Sequence, residues 1–183
     1  QADANPYRVG ALHSLRSFRR GLPRALGLTK NHPIMLYTKL CDLPGLALKS
    51  DEVVDVLEHF ELPVIYDFDR SNEGTDDIYW ASAKEAGFEL RFNTRQVLDV
   101  IFIYPESQGE FQNVNQEFAG VPFYRSYGEA KEAFLAQHRS IKEGANQSWI
   151  KGEFSEYSAH YEFSPLGTLV LVTLTDSHGS ASE

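Results

Sequence analysis

One cysteine, Cys41, in 183 residues excludes an internal disulfide and a zinc cluster built on several thiolates. A lone thiol reads as a small buried hydrophobe, and a disulfide-free chain suits a reducing compartment, so the cytoplasm is the expected location. The chain opens on Gln1 in place of Met, which reads as a trimmed or processed start. No run of about 18 apolar residues occurs, so no helical membrane span is expected. Histidines are six and scattered: His13, His32, His59, His138, His160 and His178 never make the spacings that set two imidazoles on one metal. The signatures GxSxG, GxxxxGK[ST] and GxGxxG are missing as well. Neither a cofactor nor a reaction of its own is expected of such a chain.

What is present is charge, unevenly spread. A composition of 42% hydrophobic and 13% aromatic residues is that of a globular protein, with a net charge of -9. Residues 1–50 carry eight Lys or Arg against two Asp or Glu, whereas 51–183 carry nine against 24, so a +6 segment precedes a -15 body. An acidic body repels nucleic-acid phosphates and attracts basic proteins, beyond its plain service to solubility. Within 1–35, Val9, Leu12, Leu15 and Phe18 alternate with Arg8, Arg16, Arg19 and Arg20 at the spacing of a basic amphipathic helix. It reads as a basic N-terminal arm, as a remnant of a larger precursor, or as a helix packed on the body. A single domain is expected over 36–176, with a loose polar tail over 177–183.

Two helices are legible in the body. Ser50 before Asp51 and Glu52 makes a good start for one, with Val53, Val54, Leu57 and Phe60 on one face and Pro63 as its stop. Ser126 and Glu129 form a capping box for the other, which runs to about residue 138 over Ala130, Ala133 and Phe134. Strands are predicted over 64–68, 78–83, 87–93, 97–104, 148–154, 157–163 and 168–174, in close succession as in an antiparallel meander. Phe92 and Leu98 match Phe163 and Leu169 at an offset of 71 residues, as do Leu90 and Tyr161, and Arg91 and Glu162; Trp80 matches Trp149 at 69. The expected fold class is α+β, a mainly antiparallel sheet with two or three covering helices and a three-strand unit occurring twice.

The stretch VIYDFDRSN places Asp67 and Asp69 at the spacing of one strand face, followed by Glu73, Asp76 and Asp77. A strand ending in DxD resembles the first motif of the haloacid-dehalogenase phosphatases, which implies a metal-dependent phosphohydrolase. The later strands of that family, parallel and separated by helices, have no match here. An EF-hand loop starting at Asp67 fails on Asn72 and Ile78. A solvated turn built on Ser71, Asn72, Gly74 and Thr75 is the plain alternative, and an acidic recognition loop the functional one. Among the aromatics, Trp80 and Trp149 are expected in the core. Tyr124 and Tyr127, flanking Arg125 in VPFYRSYGE, are expected at the surface.

GFELRF, VLDVIFIYPE, FAGVPFYRSYGEA, a Trp strand, HYEF and LVLVTL together resemble, over residues 78–174, immunity-type proteins associated with bacterial polymorphic toxins and bacteriocins. The family's LP turn is replaced here by Val121 and Pro122, and residues 1–35 have no counterpart in it. What the resemblance implies is a binder that docks on a cognate toxin and blocks it. Its expected contacts are Asp67, Asp69, Glu73, Asp76 and Asp77, joined by Tyr124, Arg125 and Tyr127. A phosphohydrolase centred on Asp67 and Asp69, and an adaptor or structural binding module, are the alternatives.

Overall fold

A computed structural model describes residues 38–67 and 76–177. The basic segment 1–35, Asp69, Glu73 and the tail beyond residue 177 lie outside the described residues.

Helix α1 (Asp51–His59) forms where the sequence places it: Ser50 Oγ accepts from Val53 N at 3.5 Å, and Asp51 and Glu52 occupy the positive end of the helix dipole. It stops at Glu61, in the left-handed region with φ 52°, where Leu62 N donates back to Leu57 O. A single turn, α2 (Gln116–Ala119), is capped by Asn115. Helix α3 (Tyr127–Ala136) repeats the devices of α1. Ser126 Oγ accepts from Glu129 N, His138 takes φ 54°, and Arg139 N donates to Phe134 O.

The described residues form eight strands: β1 (Ile65–Asp67), β2 (Ile78–Ala83), β3 (Phe88–Phe92), β4 (Leu98–Ile103), β5 (Ile141–Glu143), β6 (Trp149–Glu153), β7 (Tyr157–Phe163) and β8 (Leu169–Asp176). They form one sheet in the order β1-β2-β3-β4-β8-β7-β6-β5, and all its neighbour pairings are antiparallel. The protein is therefore α+β with a mainly antiparallel sheet.

That order is two four-strand meanders joined at β4 and β8. The matches at offset 71 fall on structurally equivalent places. The register slips between Arg91 and Phe92, leaving Phe92 opposite Leu98, and slips again between Glu162 and Phe163, leaving Phe163 opposite Leu169. Both hairpins turn through five residues. Asn93 Oδ1 accepts from Arg95 N and Val97 N in the first, and Ser164 Oγ from Leu166 N and Thr168 N in the second. The repeated unit is thus a helix and four strands, one strand longer than the sequence alone indicates. The missing strand is β5, whose IKE sequence is too short and too charged to show alternation.

The core lies between the helices and one face of the sheet. Phe88, Leu90, Phe92, Ile101, Ile103, Ile150, Tyr161, Val172 and Leu174 are fully buried from the sheet side, Val53, Val56, Ala130 and Phe134 from the helix side. Burial of each large side chain stabilises by about 1.5–3 kcal/mol. Gly152 is where α3 comes closest: a Cβ there would lie 2.9 Å from the Phe134 ring. Trp80 and Trp149, expected in this core, are half-exposed on the opposite face. Alternation puts them out of phase with Ala81, Ala83 and Ile150, which point at the helices. Trp80 stacks on Phe102 at 6.2 Å, and Trp149 meets His160 edge-on at 5.1 Å. No helix among the described residues is long and apolar enough to cross a membrane.

Candidate functional site

The acidic stretch falls on an edge of the sheet. Strand β1 pairs with β2 alone among the described residues, Ile65 opposite Trp80, Tyr66 opposite Tyr79 and Asp67 opposite Ile78. All three residues of β1 are exposed, as is Asp76 just before β2. On the helix side of this hairpin, Tyr66 stacks on Tyr79 at 4.8 Å and its hydroxyl donates to Asp77 Oδ2. That bond to a carboxylate lifts the Tyr66 phenol to about 12, so it stays a donor.

Four acids of the described residues are held by Lys or Arg, and Asp67 and Asp76 are not among them. Asp99 is held by Arg91 at 2.8 Å, Glu143 by Lys131 at 2.8 Å and Glu153 by Lys151 at 4.0 Å, and Glu110 pairs with Lys84. Asp67 and Asp76 have no side-chain partner among the described residues and face solvent. Helix α1 carries acids of its own. Asp51, Asp55 and Glu58, at i, i+4 and i+7, form an exposed acidic stripe opposite buried Val53 and Val56. This stripe is legible in DEVVDVLEH once both faces of the helix are read. Attention to the apolar face alone overlooks it.

The second group of expected contacts is elsewhere and differently used. Tyr124 is 7% exposed and Tyr127 9%, so the expectation that both lie at the surface is corrected. The cause is the repeat, which brings α3 and the loop before it down onto β7. Tyr124 packs on Tyr161 at 5.2 Å and Phe134 at 5.7 Å, while Tyr127 packs edge-on against Phe163 and donates to Glu143. Burial raises both phenols, with the Glu143 bond adding to the effect at Tyr127. Arg125 alone of the three is exposed, its backbone N–H held by Glu129 at 2.7 Å. It borders a shallow depression of about 300 Å³ with Glu106, Phe123 and Thr168.

The structure does not unite the two groups. The hairpin of β1 and β2 lies at the end of the sheet where β3 turns into β4, since Tyr79 faces Phe92 and Phe92 faces Leu98. Thr168 and Leu169 lead into Val172, which pairs with Ile103 at the far end of β4. The length of a strand, roughly 17 Å, separates them along the sheet, in addition to the strands between.

The haloacid-dehalogenase frame needs its first carboxylate at the end of a parallel strand. Asp67 instead ends an outermost antiparallel strand and is exposed. His160, the histidine on β7, sets Nδ1 3.7 Å from Glu162 Oε1, and burial holds its pKa below the ordinary value. Cys41 is buried, and burial first, then neighbouring Asp42, pushes its thiol up to about 11, which keeps it protonated and inert.

The fold and this edge define an α+β protein with an acidic, partly apolar sheet edge. No family model, curated protein or solved structure matches the chain.

Proposed function

We propose that this chain is an immunity-type protein, a binder that caps a basic toxin domain through its acidic edge. The observation that carries the reading is the pair Asp67 and Asp76, exposed at an edge hairpin with no Lys or Arg partner among the described residues, whereas Asp99 and Glu143 are held by Arg91 and Lys131. Carboxylates held on a stiff sheet lose little freedom on meeting Lys or Arg, and the -15 charge of residues 51–183 steers such a partner inward. Arg125 lies too far away to share this contact.

Co-expression with a toxin domain encoded beside this chain tests the proposal. Protection of the host is expected, with a purified complex that the double variant Asp67→Asn, Asp76→Asn weakens by about tenfold at low salt and less at high salt. An affinity indifferent to both carboxylates and to salt would remove the acidic edge from the interface.

A further inference from the structure

Few large apolar side chains of the described residues are exposed: Val64 at 37%, Ile65 at 59%, Tyr66 at 47%, Leu135 and Leu166. Three of them are consecutive, and they lie on and just before β1. Proteins shield a free sheet edge with lysine, proline, bulges or covering loops, because its unpaired amides and carbonyls otherwise recruit another strand. The opposite edge of this sheet, β5, is as short as β1 but follows that practice with Lys142 and Glu143. Strand β1, which pairs with β2 alone among the described residues, has the apolar Val64 and Ile65 there instead, and Pro63 bounds it on the N-terminal side.

Resting on the binder reading above, we propose that β1 is a strand-addition edge: the partner contributes an extended strand with a basic residue facing Asp67 and an apolar one facing Ile65. The spacing follows from the pleat. Ile65 and Asp67 share the face of Trp80, so the two recognising side chains of the incoming strand stand two residues apart. Ladder hydrogen bonds supply sequence-independent attachment, and the side-chain pairs select the partner. A second copy of this chain is the poorer occupant, because two edges bearing Asp67 and Asp76 on -15 bodies would meet with no cation between them.

The probe is a synthetic β-hairpin whose outer strand alternates lysine, threonine and valine, titrated into the isotope-labelled full chain and followed by amide shifts. Three controls accompany it: the same hairpin N-methylated on its outward amides, a glutamate-for-lysine hairpin, and the chain alone over a concentration series. Shifts confined to residues 64–67, at least about tenfold weaker binding on N-methylation, and about threefold to fivefold weakening by Asp67→Asn are expected. Ile65→Lys should weaken binding by about tenfold. Since Ile65 is exposed, unchanged amide shifts in β6, β7 and β8 verify the fold of that variant, and Ile65→Thr, which keeps a strand former, is the reserve. Equal binding of the N-methylated hairpin would overturn strand addition while leaving the acidic edge standing. Shifts centred elsewhere, no binding, or the same amides moving with concentration in the chain alone would also overturn it. Backbone dependence without Asp67 dependence, or with equal binding of the glutamate hairpin, would instead overturn the basic-partner reading on which the proposal rests.

Discussion

His160 and Tyr161 are neighbours on β7 that point to opposite faces, and each carries a buried polar atom, Nε2 and Oη, with no hydrogen-bond partner among the described residues. For Tyr161 the consequence is simple, since burial raises its phenol well above the usual range and it stays neutral. For His160 it is a pH dependence. Burial is the main cause of its lowered pKa and Lys151 adds to it, while Glu162 opposes them; Trp149 closes the remaining side. The unfolded chain, at about 6.5, therefore takes up the proton before the folded one does. Stability from this residue is complete above that value and is lost as pH falls through it toward the lower folded pKa. Thermal melts at about pH 7 and pH 5 should show a larger drop in Tm for the natural chain than for His160→Gln. Parallel drops would mean that the buried imidazole carries no linkage. The acids of the candidate site belong to this scale too. Asp67, Asp76 and Asp77 are legible as a cluster in the sequence, whereas the burial of Tyr124 and Tyr127 is not, because it depends on β7 and α3, which chain order does not place beneath VPFYRSYGE.

The turn between β7 and β8 is the element in which the repeat does mechanical work. Ser164 Oγ gathers Leu166 N and Thr168 N as Asn93 gathers its own pair, and Gly167 stands at φ 82° where the first hairpin has Gln96 at φ 59°. Nothing lies within 4 Å of the Cβ that a substitution at Gly167 would add, so the cost of Gly167→Ala is purely one of backbone conformation. That variant should lose about 1 kcal/mol in urea denaturation, and Gly167→Asn less, since Asn tolerates the left-handed region. A loss for Asn equal to that for Ala would show the turn to be strained by something other than φ. Elements with their own chemistry are the ones the sequence makes visible: α1 and α3 through Ser caps, and most of β2, β3, β4, β6, β7 and β8 through alternation. Helix α3 ends at Ala136, two residues before the expected stop, because His138 adopts the left-handed conformation that closes it. Strand β5 and the single turn α2 escape notice, being too short for a period. In β2 the sequence IYWASA is apolar on both faces, so its phase, and with it the side taken by Trp80, is set by which face the helices cover.

At the scale of the whole molecule, the two meanders share one sheet and one core. The seam between β4 and β8 runs through Val100 and Thr175, Ile101 and Leu174, Phe102 and Thr173, and Ile103 and Val172. Ile101, Ile103, Val172 and Leu174 are fully buried beneath the helices, and the buried cluster continues from Val53 in the first half to Phe134 and Tyr161 in the second. The offset of 71 residues hints at the repeated strand arrangement in the sequence, but the antiparallel joining of its halves arises only because β8 returns beside β4, a long-range pairing that local patterns do not encode. Two halves with a dry, hydrogen-bonded seam have no boundary at which one can melt while the other stays folded, so a single cooperative transition is expected. The two tryptophans report on it separately, Trp80 from β2 and Trp149 from β6, and since both are half-exposed, Trp80→Phe and Trp149→Phe leave the core intact. The fluorescence midpoints of these two variants in urea should coincide. Ile101→Ala, which opens a cavity at the seam, should lower both together by the equivalent of about 2–4 kcal/mol. Midpoints that separate, with only the Trp80 signal following Ile101→Ala, would mean that the halves fold as independent units and that β1 is carried by the first of them alone.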